Sequence, residues 1–213
     1  MISVVILEDD VHFLRILKKM VIKYGYQIDA TFNRSADFID YIKRTKKYPD
    51  ISLLDLELPD KSGIEAVKEI KDYLDIFNVL ILTSFSNEDK VFEALQAGAS
   101  GYILKRDLNL KLKDSILDIY NGGIVIEPIL ANRFLNYFKT FETNQKPKII
   151  LSEAEHDILT FLVKGFTYKE IANLVEKTPR NIKYTLSKIY KKLNVKTKVE
   201  AISEAIRNGI VTL

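Results

Sequence analysis

Five short apolar runs, Ser3–Leu7, Gln27–Phe32, Ile51–Leu54, Val79–Thr83 and Gly101–Leu104, recur through the first half of the chain with a segment of helical period between each and the next. Most are continuous rather than alternating, as expected for parallel strands covered by helices on both faces. Leu14, Leu17, Val21 and Tyr24 keep the three-and-four spacing of one buried helix face, and Ile64, Val67, Ile70 and Leu74 repeat it. Alternation of this kind predicts an α/β fold, a doubly wound five-stranded parallel sheet, closed by a helix over Leu108–Tyr120. In such sheets ligands bind beyond the carboxyl ends of the strands, where Asp9, Asp55, Thr83 and Lys105 all fall.

The rim carries a concentration of acids. Ile51-Ser52-Leu53-Leu54 delivers Asp55, followed by Pro59 and Gly63, and Val4-Val5-Ile6-Leu7 runs into Glu8-Asp9-Asp10. Neighbouring strands would gather these charges in one crevice, and like charges at short range need compensation. A hard cation of the magnesium type, held by carboxylate oxygens, is the usual remedy. Asp55 is then the reactive member of the pocket.

At 213 residues and 47% hydrophobic, the chain can bury one large core or two small ones. Cysteine is absent, which excludes disulfides, thiol catalysis and thiolate metal sites and agrees with a reducing compartment. No apolar run is long enough to span a bilayer or form a signal-peptide core, so the expectation is a soluble, cytoplasmic protein. The net charge of +3 conceals an asymmetry: residues 148–213 hold 12 Lys or Arg against 7 Asp or Glu, and residues 1–147 hold 20 against 22. A basic tail piece on a slightly acidic body points to a polyanionic partner.

After Asn121-Gly122-Gly123 comes an apolar helical stretch around Ile129–Phe138, then a polar run, Thr140–Lys148, that reads as a linker. The expected division is 1–121, a linker with a helix over 122–147, and a second, all-α domain over 148–213. Its helix starts are legible. Ser152 with Glu155, Thr167 with Glu170 and Thr197 with Glu200 are capping boxes, and Thr178-Pro179 sets a cap before a first-turn proline. Four short helices follow, with Gly165 and Asn194 as C-terminal punctuation for the first and third.

Glu8-Asp9, Asp55 with Pro59 and Gly63, Thr83 after an apolar strand, and Gly101-Tyr102-Ile103-Leu104-Lys105 together resemble the receiver domain of bacterial two-component response regulators, over about residues 1–121. The resemblance implies a flavodoxin-like fold in which Asp55 is the phosphoacceptor. It also implies that Glu8, Asp9, Asp55 and the Glu57 backbone carbonyl hold Mg2+. Lys105 and Thr83 would contact phosphoryl oxygens, and Tyr102 would be a switch residue. Asp10 is left to cap the following helix.

Pro179–Leu193 divides on a helical wheel into a core side, Ile182, Leu186, Ile189 and Leu193, and a side with Arg180, Lys183, Tyr184, Ser187 and Lys191, with Lys188 at its edge. No acid occurs from Lys177 to Val199, so that second face can approach phosphates and is expected to be free. A shorter helix, Tyr168–Lys177, would brace it in the helix-turn-helix manner. Leu151-Ser152-Glu153 with Glu155, Gly165-Phe166-Thr167 before Lys169-Glu170-Ile171-Ala172, and Thr178 through Lys183 to Lys192-Leu193-Asn194-Val195 resemble the LuxR-type helix-turn-helix domain. By that resemblance Lys183 is a DNA contact; Arg180, Tyr184, Ser187, Lys188 and Lys191 follow from the wheel. In the last helix Val199, Ile202 and Ile206 offer apolar surface suited to a symmetric contact between two copies.

The two resemblances imply a response regulator of the NarL/FixJ type, phosphorylated on Asp55 by a sensor histidine kinase, binding promoter DNA and forming a homodimer when phosphorylated or DNA-bound. One alternative is a phosphate-independent regulator whose receiver serves dimerisation. The other is an enzyme, a phosphatase or phosphotransferase built on similar aspartates, against which stands Glu57 where aspartate-dependent phosphatases place a second aspartate two residues after the first.

Overall fold

The computed structural model describes residues 1–45, 48–74, 77–84, 88–126, 149 and 151–211. Strands β1 (Ser3–Leu7), β2 (Gln27–Phe32), β3 (Ile51–Asp55), β4 (Val79–Thr83) and β5 (Gly101–Leu104) form one parallel sheet in the order β2-β1-β3-β4-β5. Helices α1 (Val11–Lys23), α2 (Ser35–Arg44), α3 (Gly63–Tyr73), α4 (Glu88–Gln96) and α5 (Leu108–Tyr120) alternate with the strands.

The period-two geometry of a strand sends alternate side chains into two separate cores. Val4, Ile6, Leu53 and Leu80 meet Leu17 and Val21 of α1 and Leu112, Ile116 and Ile119 of α5. Val5, Leu7, Leu54 and Ile81 meet Phe38 and Ile42 of α2, Val67 and Ile70 of α3, and Val91 and Leu95 of α4. Each fully buried Leu or Ile contributes roughly 1.5–3 kcal/mol, so burial on both faces holds the helices against the sheet. β2, at one edge of the sheet, departs from the fully buried pattern, whereas β5 at the other edge keeps it. The chain reverses its winding direction between β1 and β3, and a crevice opens there at the carboxyl ends of the strands.

Local devices set the approaches to that crevice. Asp10 caps α1, its Oδ1 accepting from the backbone amides of His12 at 2.8 Å and Phe13 at 3.1 Å. Ser62 and Glu65 close a capping box at the start of α3. Next to it, a Cβ on Gly63 would lie 2.2 Å from the carbonyl oxygen of Asp55, so α3 can begin hard against the end of β3 only with glycine there.

Among the described residues the C-terminal part holds four helices, α6 (Glu153–Val163), α7 (Tyr168–Leu174), α8 (Pro179–Leu193) and α9 (Lys198–Arg207). The three expected capping boxes are closed, and Thr178 accepts from the amide of Asn181 ahead of Pro179. Gly165 and Asn194 end α6 and α8 in the left-handed region. α7 stops three residues short of the expected Lys177, because Glu176 also turns left-handed at φ +50° and cannot continue a helix. Leu159, Leu162, Ile171, Ile182, Leu186, Ile189 and Leu193 form the core of this domain. The stretch Ile129–Phe138 and the run Thr140–Lys148 lie outside the described residues.

The helical domain sits against the end of the sheet domain that lies opposite the acidic rim. The amide of Tyr168 donates to the carbonyl of Asn121 at 2.6 Å, and its ring lies so close to Gly122 that a Cβ there would come within 2.5 Å of it. Lys198 donates to the carbonyl of Gly122, and Lys196 pairs with Asp72. Val199 packs partly against the sheet domain's core and Ile202 partly against the helical core, so two of the three apolar side chains assigned to a second copy are half-covered within one chain.

Candidate functional site

The strand ends bring three carboxylates together: Glu8, Asp9 and Asp55 each offer an oxygen, and these lie within 4.8 Å of one another. Glu8 and Asp55 are only 1% and 6% exposed, whereas Asp9 faces solvent. Lys105, on the turn that follows β5, reaches in with Nζ 2.9 Å from Asp55 Oδ2 and 2.9 Å from Glu8 Oε1. Its ammonium also lies 4.2 Å above the ring of Phe13 on α1. The other oxygen of Asp55, Oδ1, accepts from the backbone amide of Leu56 at 2.7 Å, which fixes the plane of the carboxylate.

The electrostatics are those of an under-compensated pocket. Burial pushes the Glu8 carboxyl up to about 6, against the downward pull of its hydrogen bond from Lys105. Burial also opposes the charge on Lys105, yet its bonds to Glu8 and Asp55 hold the ammonium above the usual lysine value. One ammonium therefore faces three carboxylates. Glu8 Oε2 also lies 2.8 Å from Lys105 Nζ, so the one ammonium bridges both buried acids. Three carboxylates that share one ammonium, with oxygens within 4.8 Å of one another, fit a small hard divalent cation.

Thr83 ends β4 almost fully buried, in register with Leu104 of β5 and so one strand position from Lys105. Tyr102 is buried at 8% exposure within the core on the α2–α4 face. Glu57 turns its side chain outward to an ion pair with Lys90 at 3.6 Å, which leaves only its backbone for the pocket. His12 is exposed, and His156 is occupied by the carbonyl of Ile210 at 2.8 Å. The sequence reading missed Phe13, whose ring seats the lysine; at helical spacing it is indistinguishable from core.

On α8 the wheel separates as expected. Ile182, Leu186, Ile189 and Leu193 are buried, joined by Tyr190, while Arg180, Tyr184, Lys188 and Lys191 are exposed. Tyr184 is 63% exposed and carries Lys188 Nζ 4.4 Å above its ring. The expectation of a wholly free face is corrected at Lys183. Its Nζ lies 5.2 Å from the ring of Tyr120 on α5 and 5.9 Å from that of Tyr168, and burial lowers its pKa although Asp50 opposes the shift. The physical reason is the docking of the two domains, which no helical wheel contains.

Comparisons with known proteins agree with both halves. The family model for the response regulator receiver domain matches residues 4–116, and that for bacterial regulatory proteins of the luxR family matches residues 149–205. The transcriptional regulatory protein YxjL of Bacillus subtilis is 32% identical over 194 residues, 87% of each chain. The oxygen regulatory protein NreC of Staphylococcus epidermidis is 28% identical over 97% of this chain and 98% of its own. Among solved structures, RcsB from Salmonella enterica serovar Typhimurium, bound to promoter rprA in the presence of the phosphomimetic BeF3−, is similar with a TM-score of 0.54 over 97% of this chain and 99% of that one; at 19% identity this likeness speaks for the fold. The sheet domain with its acidic rim, the capped helical domain and these matches along nearly the whole length lead to one conclusion: the chain belongs to the NarL/FixJ family of response regulators, transcriptional regulators that join a receiver to a LuxR-type DNA-binding domain.

Proposed function

We propose that Asp55 accepts a phosphoryl group from the phosphohistidine of a sensor histidine kinase, and that this event governs the binding of promoter DNA by residues 148–213. In this reading residues 1–121 are the receiver and 122–147 the linker, and the protein works in the cytoplasm as a phosphoacceptor without turnover of its own. The observation that carries it is the convergence of Glu8, Asp9 and Asp55 around one bridging ammonium.

Glu8, Asp9, Asp55 and the Glu57 carbonyl would hold Mg2+. Such an ion neutralises charge on the phosphoryl oxygens. The Leu56 amide holds Asp55 Oδ1, so the carboxylate meets phosphorus in a fixed orientation. An Asp55 oxygen forms the new O–P bond as the P–N bond to the kinase imidazole breaks, and the bonding pair leaves on that nitrogen. Lys105 moves its hydrogen bond from the carboxylate to a phosphoryl oxygen, and the Thr83 hydroxyl donates to another. Tyr102, on the strand beside Thr83, repacks with that movement, which requires only that phosphate favour one of two packings.

On the output side Arg180, Lys183, Lys188 and Lys191 would neutralise DNA phosphates, with Tyr184 and Ser187 placed to touch base edges. Lys183 can do so only after leaving Tyr120, so phosphorylation is expected to favour a separated form that pairs as a homodimer on DNA. The DNA-bound, phosphomimetic state of RcsB is the corresponding state of that relative. The test is labelling with kinase or acetyl phosphate: wild type should take up an alkali- and hydroxylamine-labile group only with magnesium, and Asp55→Asn should take up none. Equal labelling of the two proteins refutes the assignment, and an unlabelled wild type returns the phosphate-independent alternative.

A further inference from the structure

Helix α2 begins without a cap of its own, since Arg34 makes no side-chain bond to the first turn. Its leading amides are bound from across the molecule. Asp60, in the loop between β3 and α3, accepts from Ser35 N through Oδ1 and from Ala36 N through Oδ2, both at 3.0 Å. Ser35 is fully buried, and its hydroxyl donates back to the Lys61 carbonyl at 2.9 Å. Three hydrogen bonds therefore tie residues 60 and 61 to the start of α2. At the other end of the loop the Gly63 amide donates to the Leu56 carbonyl at 3.0 Å. Outside, Lys61 and Lys43 of α2 both pair with Glu69 of α3, at 3.1 and 2.8 Å.

The segment 56–62 is thus pinned at both ends, and Glu57, whose carbonyl faces the pocket in the reading above, lies between the pins. Burial opposes ionisation of Asp60, but the amides it accepts from hold its carboxyl below the usual range, as expected for a remote helix cap that stays ionised. We propose that Asp60 and Ser35 are positioning residues for the phosphoacceptor loop, fixing the backbone at Glu57 so that the metal and Asp55 meet in productive geometry. The inference rests on the phosphoacceptor reading. Without the clamp, a loop of this length must be ordered when the ion binds, and that entropy is then taken from binding. Outer-shell groups of this kind typically change metal affinity by about 10–100-fold.

The experiment compares wild type, Asp60→Ala, Asp60→Asn and Ser35→Ala with Ile116→Val, a control that weakens the buried α5 face without touching the loop. Calorimetric titration of the full-length protein with Mg2+ alone reads affinity, and acetyl phosphate labelling against Mg2+ concentration reads the reaction, both well below each variant's unfolding midpoint. Asp60→Ala should weaken Mg2+ binding about tenfold and shift the labelling curve equally. Asp60→Asn and Ser35→Ala, which keep part of the clamp, should fall between it and wild type, while Ile116→Val should overlay wild type despite its lower midpoint. If Asp60→Ala does not fold, the other two variants decide. Overlay of the clamp variants with wild type in both measurements overturns the inference and reduces Asp60 to a cap for α2. A wild type that binds no Mg2+ and takes no label overturns instead the reading on which the inference stands.

Discussion

Lys105→Met removes the pocket's only described ammonium while keeping the length of the stem that packs on Phe13. Two almost fully buried carboxylates, Glu8 and Asp55, are left with no hydrogen bond from a cation. The cost can be worked in two ways. At a pH where both stay ionised, two unit charges separated by the 4.8 Å that bounds the pocket's ligand oxygens repel by about 3.5 kcal/mol at an effective dielectric of about 20. At lower pH Glu8, already raised to about 6, relieves this by taking up a proton. Removing one partner of a buried ion pair costs about 3–5 kcal/mol. Both point to roughly 3–4 kcal/mol, which for a domain of this size lowers the thermal midpoint of the receiver by about 10 °C or more. The assay is thermal unfolding followed by circular dichroism, in chelator and in saturating magnesium. In chelator the variant should unfold far below wild type. In magnesium it should recover by more than wild type gains, because the ion supplies the positive charge that the lysine supplied. A variant whose midpoint in chelator stays within about 2 °C of wild type would show that Lys105 does not compensate the acids, and the electrostatic account of the pocket would be wrong.

Lys183→Ala should weaken binding to all DNA sequences alike and reduce the slope of log affinity against log salt by about 1, measured by fluorescence anisotropy; unchanged affinity and slope would remove Lys183 from the interface. Docking of the two domains should depend on pH. Lys71 and Lys198 line a cavity of about 30 Å³ between the domains, and burial pushes each down to about 8, with Glu200 opposing the shift at Lys71. Separation returns them toward the usual 10.5, so the docked form binds fewer protons between about pH 8 and 10.5 and gains stability as pH rises through that window, with no change below it. Small-angle scattering of the unphosphorylated protein should show the separated fraction falling as pH rises there, and a rising fraction would contradict the assignment.

What the sequence revealed and what it hid differ in range. The strands were legible because each core-facing run, such as Ile51–Leu54 or Val79–Thr83, is short, apolar and bounded, and the sheet order then places Glu8, Asp55, Thr83 and Lys105 on one rim with no side-chain detail required. The helix starts of the second domain were equally local, since a capping box spans four residues. The covering of Lys183 by Tyr120 and of Val199 by the sheet domain was hidden because those surroundings come from the other domain, which periodicity within one helix cannot report. Asp60 was passed over for the same reason: its partners, Ser35 and Ala36, belong to a helix on another crossover, and a Pro-Asp pair in a loop reads as turn chemistry. Tyr190 escaped because its helical angle lies between the two faces, and only packing against the rest of the domain buries it.

The central claim is that one side chain at the rim of the sheet controls the grip of a basic helix on DNA. The most direct measurement is the DNA affinity of the full-length protein by gel shift, before and after acetyl phosphate with magnesium, for wild type and Asp55→Asn side by side. The account predicts tighter binding and a dimeric complex for treated wild type alone, with treated Asp55→Asn indistinguishable from untreated protein. Equal affinity in all four samples, or the same gain in the substituted protein, would contradict it.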